Sequence, residues 1–167
     1  MSTFHELEPG EVEMTSTSEE CLRICNPGWI SEGRMPSSQL FGDFPKDSGK
    51  LSCVQGSKST AEAAYKDFTE RLGLSADSVW AVTVGEVKGL ANETHGAVES
   101  RVVDDSSQPD LDNSRMAHHC YIDQRHLSKK QKRKLRNKLL EHALKRGQLH
   151  PFDFTTVGEQ NVFNPGN

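Results

Sequence analysis

The sequence predicts an α+β fold: a single domain in which a mixed or mainly antiparallel sheet has two main helices packed on it. Three observations predict this fold. Several short segments have strand-like apolar patterns, an amphipathic helical segment lies among them, and a longer helical segment with its own capping residues follows. An order of strands, helix, strands and helix is typical of α+β proteins.

Six segments are predicted as strands. Residues 21–25 alternate, so Leu22 and Ile24 share one face while Arg23 and the two cysteines share the other. Residues 78–84 have no polar face, which predicts a central strand covered on both sides. The predicted strand ranges are 21–25, 37–41, 50–54, 78–84, 101–103 and 116–123.

Residues 59–72 form the clearest helical pattern. Ser59 and Glu62 have the spacing of a capping box, in which each side chain bonds a free backbone N–H at the helix start. Apolar side chains then recur at helical spacing, and Gly73 follows as the residue after the C-cap. This pattern predicts an amphipathic helix with one face on the sheet.

The uneven composition predicts the domain organisation. Residues 1–20 hold six acids and no Lys or Arg, which predicts a disordered acidic arm. Residues 21–148 are expected to form the α+β domain, with a long polar loop over 91–115. Residues 149–167 are expected to be a polar tail.

The chain of 167 residues shows no signal peptide and no apolar run long enough for a membrane helix. Four scattered cysteines without a secretion signal predict reduced thiols and a cytoplasmic location. No glycine-rich phosphate fingerprint or Walker motif is present, so we expect no cofactor and no nucleotide hydrolysis. No membrane partner is expected, and the oligomeric state stays open.

The charge distribution is strongly polarised. Residues 127–147 contain nine Lys or Arg and one Glu, a net charge of +8, whereas the chain as a whole carries −4. Ser128 and Gln131 form a second capping box, which predicts that this block is a helix ending at Gly147. An apolar stripe occupies only its second half.

Cations in the first turns lie at the positive end of the helix dipole, and an anionic partner would offset the resulting cost in stability. The residues expected to bind this partner are Lys129, Lys130, Lys132, Arg133, Lys134 and Arg136.

These charges favour a non-enzymatic accessory or regulatory protein, of the antitoxin-, immunity- or defence-associated type. It would bind an acidic protein surface or a nucleic acid through the basic helix. A solvated surface helix is the competing interpretation.

The segment around His118 and His119 allows several interpretations. Either histidine could act as a base, His119 with Asp123 or His118 with a cysteine. A metal site would need the cysteines, but the spacing of Cys21 and Cys25 is not a usual zinc spacing, so no metal is expected. The structural interpretation has one histidine packed in the core and the other in solvent.

An enzyme is the alternative function. A small transferase or nucleotide-binding enzyme would require several polar side chains to converge in one cleft. The candidate catalytic residues for this alternative are Arg23, Arg34, Ser37, Ser38 and His119. A hydroxyl pair after an arginine could bind an anion, although a turn with side-chain-to-backbone hydrogen bonds explains the same residues.

A longer set of short motifs resembles a family of small bacterial proteins. The residues that carry the resemblance are Pro27, Trp29, Gly33-Arg34, Ser37-Ser38-Gln39, Phe41, Pro45-Lys46-Asp47, Leu51-Ser52, 60–63, 79–84 and 119–123. It covers roughly residues 21–148 and implies a compact α+β domain without implying an activity. The chain departs from the family at position 26, where Asn stands in place of a usual His.

The order of arginine, hydroxyl pair, strand and helix is also loosely similar to ADP-ribosyltransferase-like folds. This resemblance implies that Arg23, Ser38 and Glu86 would be the analogous site residues. It is the basis of the enzymatic alternative.

Overall fold

The computed structural model describes residues 4–32, 35–42, 44–93 and 99–151, and for residues 92 and 93 it describes the backbone only. Six strands form one antiparallel sheet in the order β1-β5-β6-β3-β2-β4. The strands are β1 (Val12–Glu13), β2 (Glu20–Cys25), β3 (Lys50–Gln55), β4 (Ser78–Thr83), β5 (Arg101–Asp104) and β6 (His119–Asp123). The α+β prediction is confirmed.

Three helices pack on the sheet. Helix α1 (Ala61–Lys66) continues as a π-helix over Asp67–Arg71, while α2 spans Val84–Glu93 and α3 spans Lys129–Arg146. Short 3₁₀ turns at Pro27–Trp29, Ser38–Phe41 and Pro45–Asp47 fill the connection between β2 and β3.

The two faces of the sheet carry separate apolar clusters. Leu22 and Ile24 pack toward α1, whereas Cys21 and Cys25 pack toward α2 and α3. This is the alternation that the sequence predicts for β2, because successive side chains of a strand point to opposite faces. The side of α1 is called the α1 face below.

Helix α3 begins and ends as predicted. Ser128 and Gln131 make both hydrogen bonds of the capping box. Leu135, Leu139 and Ala143 are buried against the sheet, so the second half of the helix carries the packing. Residues 129–134 contribute no buried side chain.

Residues 11–14 do not belong to a disordered arm, contrary to the expectation from their composition. β1 pairs with β5, Met14 is in the core, and the buried carboxylate of Glu11 accepts a hydrogen bond of 2.7 Å from the Tyr121 hydroxyl. Lys50 lies 3.9 Å from the same carboxylate. Acidic residues are ordered here because buried donors of the sheet bind them.

The expected loop over 91–115 begins later than predicted, because α2 extends to Glu93, and it is interrupted by β5 at Arg101–Asp104. The predicted strand 37–41 is the 3₁₀ turn Ser38–Phe41. The cap of α1 is Thr60 rather than Ser59, since the Thr60 hydroxyl accepts from the Ala63 N–H.

Strand β4 is buried on both faces, as predicted, yet it lies at the end of the sheet rather than at its centre. Its outer edge is partly covered by the start of the predicted tail. The Val79 N–H donates to His150 O at 2.7 Å, and the Leu149 N–H donates to Val79 O at 2.8 Å. The rest of that tail, 152–167, lies outside the described residues.

Within the described ranges, no helix is both long and apolar enough to cross a bilayer.

We predict that Leu139→Ala lowers the free energy of unfolding by about 2–5 kcal/mol, because it leaves a cavity in a fully buried site. The matched control is Leu111→Ala, at a leucine that is 99% exposed, with an expected change within about 0.5 kcal/mol. Urea titrations of both variants measure this difference. Equal changes would contradict the packing of α3 described above.

Candidate functional site

The sheet is interrupted near its centre. β2 pairs with β3 only at Cys21 with Gln55 and at Leu22 with Val54, although β2 pairs with β4 over its full length. β3 meanwhile pairs with β6 from Lys50 onward. From Arg23 on, β2 and β3 therefore diverge and leave a gap between them.

The guanidinium of Arg23 lies in this gap. Its Nε donates to Leu40 O at 2.7 Å, and its Nη1 donates to Ser52 O at 2.7 Å. The side chain also lies over the Trp29 ring, 5.3 Å from the centroid. One carbonyl of β3 and one of the 3₁₀ turn Ser38–Phe41 are thereby satisfied by a side chain.

Arg23 is a buried cation, and Asp47 is the described carboxylate whose charge acts on it. The residue is only 7% exposed, and no ion pair joins it to a carboxylate of the described residues. Burial lowers the pKa of its guanidinium, but arginine stays protonated in proteins. None of its hydrogen bonds to described residues uses Nη2, so that nitrogen has donors to spare.

A cavity of about 450 Å³ opens beside Arg23, which we call the central cavity. This volume suits a small organic ligand. Its lining mixes cations, aromatic rings and apolar side chains. The lining includes Arg23, Trp29, Phe44, Lys46, Arg115 and His119. Trp29 and Phe44 stack on each other with their ring centroids 5.3 Å apart.

His119 reaches the same cavity from β6 and is held by an aspartate. Its Nδ1 lies 2.6 Å from Oδ1 of Asp105, and both residues are buried. An ionised Asp105 accepts the Nδ1 proton of the imidazole, which leaves Nε2 as the acceptor nitrogen. His119 thus has the orientation of a base whose free nitrogen is Nε2.

The predicted dyad of His119 with Asp123 is wrong. Asp123 instead accepts from Arg101 Nε at 3.0 Å and from Arg125 Nε at 2.9 Å. Residues 119 and 123 share a face of one strand but lie four positions apart, whereas Asp105 is beside His119 on the neighbouring strand.

The cysteines provide no nucleophile for the histidines. All four are buried, and burial raises the pKa of Cys25 to about 11 and that of Cys53 further. Neutral buried thiols are poor nucleophiles. Among the described residues, no three His, Cys, Asp or Glu side chains are placed to hold a metal ion.

Ser37, Ser38 and Glu86 do not join Arg23 and His119 in the cavity lining. The Ser37 hydroxyl caps the 3₁₀ turn by accepting from the Gln39 N–H, and Ser38 lies within that turn. Glu86 on α2 is bound by both terminal nitrogens of Arg146, at 2.9 and 3.0 Å. Arg34 lies outside the described residues.

The residues expected to bind an anionic partner, 129–134, are called the basic segment. Lys129, Lys130 and Arg133 are exposed, and no ion pair joins them to a described residue. Lys132 and Lys134 are half-buried, and each has an interaction partner. Arg136 is half-buried, with no hydrogen-bond partner found for its Nε in the described part of the chain.

Two important residues of the site are absent from the candidates that the sequence offers. Asp105 is one of many acids in a polar stretch, and only strand pairing shows it beside His119. Ser52 also lines the cavity, on β3, but as a single serine in an apolar strand it gives no local signal.

No protein-family model matches this chain, and no curated protein or solved structure is significantly similar to it. The function is therefore argued from the geometry of the chain itself.

The pairing of Asp123 predicts acid sensitivity. Burial opposes its ionisation, but the hydrogen bonds and charges of Arg125 and Arg101 outweigh burial and hold the pKa of Asp123 below its usual range. A lowered folded-state pKa stabilises the protein above the unfolded pKa, and this stabilisation is lost as the pH falls through the folded pKa.

We therefore expect Asp123→Asn to be less stable than wild type near pH 6 and the difference to shrink below about pH 4. Urea titrations between pH 3 and 7 measure it. Asp77→Asn, at an exposed aspartate without an ion pair to a described residue, is the control and should show no such convergence. A constant difference for Asp123→Asn would contradict the role of its charge.

Proposed function

We propose that the protein binds a small anionic molecule with a planar ring, such as a nucleotide or an aryl phosphate, in the central cavity. The observation that carries this proposal is Arg23, a buried guanidinium with two nitrogens bound to backbone carbonyls. Among the described residues it makes no ion pair, and none of its hydrogen bonds uses Nη2.

The cost of an unpaired buried charge supports an anionic ligand. Removing a charge from water costs several kcal/mol, so buried arginines are normally paired. Carbonyl oxygens and the Trp29 ring reduce this cost but carry no negative charge. An anion at Nη2 would complete the pairing by a charge-assisted hydrogen bond.

The rest of the lining supports the same ligand. Lys46 and Arg115 add positive charge, and Lys46 is exposed without an ion pair to any described residue. Trp29 and Phe44 are half-buried, so a ligand ring could extend their stack. Asp47 also lines the cavity, and its charge, which acts on Arg23, opposes an anion there, so Lys46 and Arg115 must outweigh it.

Calorimetry with adenosine monophosphate tests the proposal. We expect adenosine monophosphate to bind. The affinity for adenosine, which lacks the anion, should be about 10-fold or more lower, because charge-assisted hydrogen bonds contribute about 1.5–3 kcal/mol. Arg115→Gln and Arg23→Lys should weaken it similarly, the latter because a lysine cannot reproduce the guanidinium fork.

The matched control is Lys145→Gln, which removes an exposed cation of α3 that does not line the cavity. Its affinity should equal that of wild type. Circular dichroism establishes that each variant is folded. Failure of both adenosine monophosphate and phenyl phosphate to bind at millimolar concentration, or equal affinities in all variants, would overturn the proposal.

The basic segment supports a second candidate function, the accessory role that engages an acidic protein or a nucleic acid. Lys129, Lys130 and Arg133 are exposed at the positive end of the α3 dipole, and the first turn contains no acid. Such cations destabilise a helix start by a few tenths of a kcal/mol to about 1 kcal/mol each. An anionic surface would offset this cost.

We expect that changing Lys129, Lys130 and Arg133 together to Gln reduces the salt dependence of nucleic-acid binding. The slope of the logarithm of the binding constant against the logarithm of the salt concentration should become about three units less steep. Fluorescence anisotropy of a labelled oligonucleotide at increasing salt measures it. The control changes Lys58, Lys66 and Lys145 to Gln, which removes the same charge elsewhere. Identical slopes for wild type and both triple variants would leave the basic segment as solvated surface.

A further inference from the structure

We propose that Ser52, His119 and Asp105 form a catalytic serine–histidine–aspartate relay for ester hydrolysis in the central cavity. The inference rests on the proposed function for its substrate class, an ester that carries an anionic group held by Arg23. It assigns an activity to the same site.

The strand order brings these groups onto neighbouring strands. The Arg23 side chain leaves β2 on the face opposite to Ser52 and His119 and reaches Ser52 O through the gap between β2 and β3. Asp105 follows β5, His119 lies on β6, Ser52 lies on β3, and Arg23 lies on β2, while the sheet order is β5-β6-β3-β2. Asp104 pairs with Cys120, so Asp105 lies beside His119. The four groups therefore occupy neighbouring strands in the order that a relay requires.

Ser52 and His119 share the α1 face. His119 pairs directly with Val54, and Ser52 is two positions from Val54 on the same strand. Such diagonal neighbours across an antiparallel pair have Cα atoms about 7–8 Å apart, within reach of a long side chain. Both residues line the central cavity, so a substrate there can contact both.

The polar atoms of the relay match their roles. Nδ1 of His119 is engaged by Asp105 at 2.6 Å, which leaves Nε2 to accept a proton. The Ser52 hydroxyl donates to no described residue, while its backbone carbonyl is held by Arg23. The arginine that would bind the substrate thus also fixes the strand that carries the nucleophile.

The reaction balances without a cofactor. Ser52 Oγ attacks the ester carbonyl carbon, and its proton passes to His119 Nε2. The carbon–oxygen bond to the leaving alkoxide breaks, and the alkoxide takes that proton. Water then attacks the acyl-serine and gives a proton to His119. The free acid departs, and Ser52 Oγ regains the proton.

An alkyl fluorophosphonate tests the relay, because Ser52 Oγ would displace fluoride from phosphorus while its proton passes to His119. Intact-mass spectrometry should show one addition, and peptide mapping should place it on Ser52. Ser52→Ala should abolish labelling, and His119→Gln should slow it about 100-fold or more. Asp105→Asn should slow it at least about 10-fold.

Ser107→Ala is the matched control, since Ser107 is an exposed serine outside the cavity lining, and its labelling rate should equal that of wild type. Near-ultraviolet circular dichroism establishes that each variant is folded. Labelling of a different residue, or a rate that His119→Gln leaves unchanged, would overturn the relay.

Adenosine monophosphate separates this inference from the proposed function. Protection of Ser52 by this nucleotide supports both. Labelling of Ser52 without protection supports the relay and counts against the anion site. Binding of the nucleotide to a folded protein that the fluorophosphonate does not label overturns the relay and leaves the anion site standing.

Discussion

The position of the Arg23 guanidinium between β2 and β3 is the constraint on which the centre of the molecule depends. Where two strands diverge inside a sheet, their backbone groups lose ladder partners, and a backbone group left unpaired away from water is costly. Arg23 satisfies Leu40 O and Ser52 O at once, so it joins the β2–β3 connection to the sheet. The central cavity exists because a side chain, rather than a strand, closes this gap.

The gap also explains why cations gather where the core would otherwise be apolar. On the α1 face, Leu22 and Ile24 continue the apolar cluster up to the cavity. Trp29, which packs against the cluster on the other face, and Phe44 line the cavity from the β2–β3 connection. A charged group placed among such side chains interacts strongly, because less water screens it. One anion bound there would interact more strongly with Arg23 than an anion on the exposed basic segment would with its lysines.

Features that depend on side chains a few residues apart could be predicted from the sequence. The alternation of β2 and the capping box at Ser128 follow from side-chain spacing within a few residues, and both are confirmed. The partner of His119 could not be predicted, since Asp105 and Asp123 look equally suitable until β5 is paired with β6. The prediction of a disordered acidic arm failed at Glu11 for the same reason, because the Tyr121 hydroxyl that binds Glu11 is 110 residues away.

The geometry of Arg23 leaves donors available after its structural hydrogen bonds are made. A guanidinium has five N–H donors in a fixed plane, and the two described hydrogen bonds use only Nε and Nη1. Lysine has three donors around a single point and lacks the planar fork that reaches two separated carbonyls. Because the two structural bonds hold the plane of the guanidinium, an anion that met Nη2 would find a side chain already ordered, which would lower the entropy lost on binding. The proposed anion site therefore depends on the same two bonds that join the β2–β3 connection to the sheet.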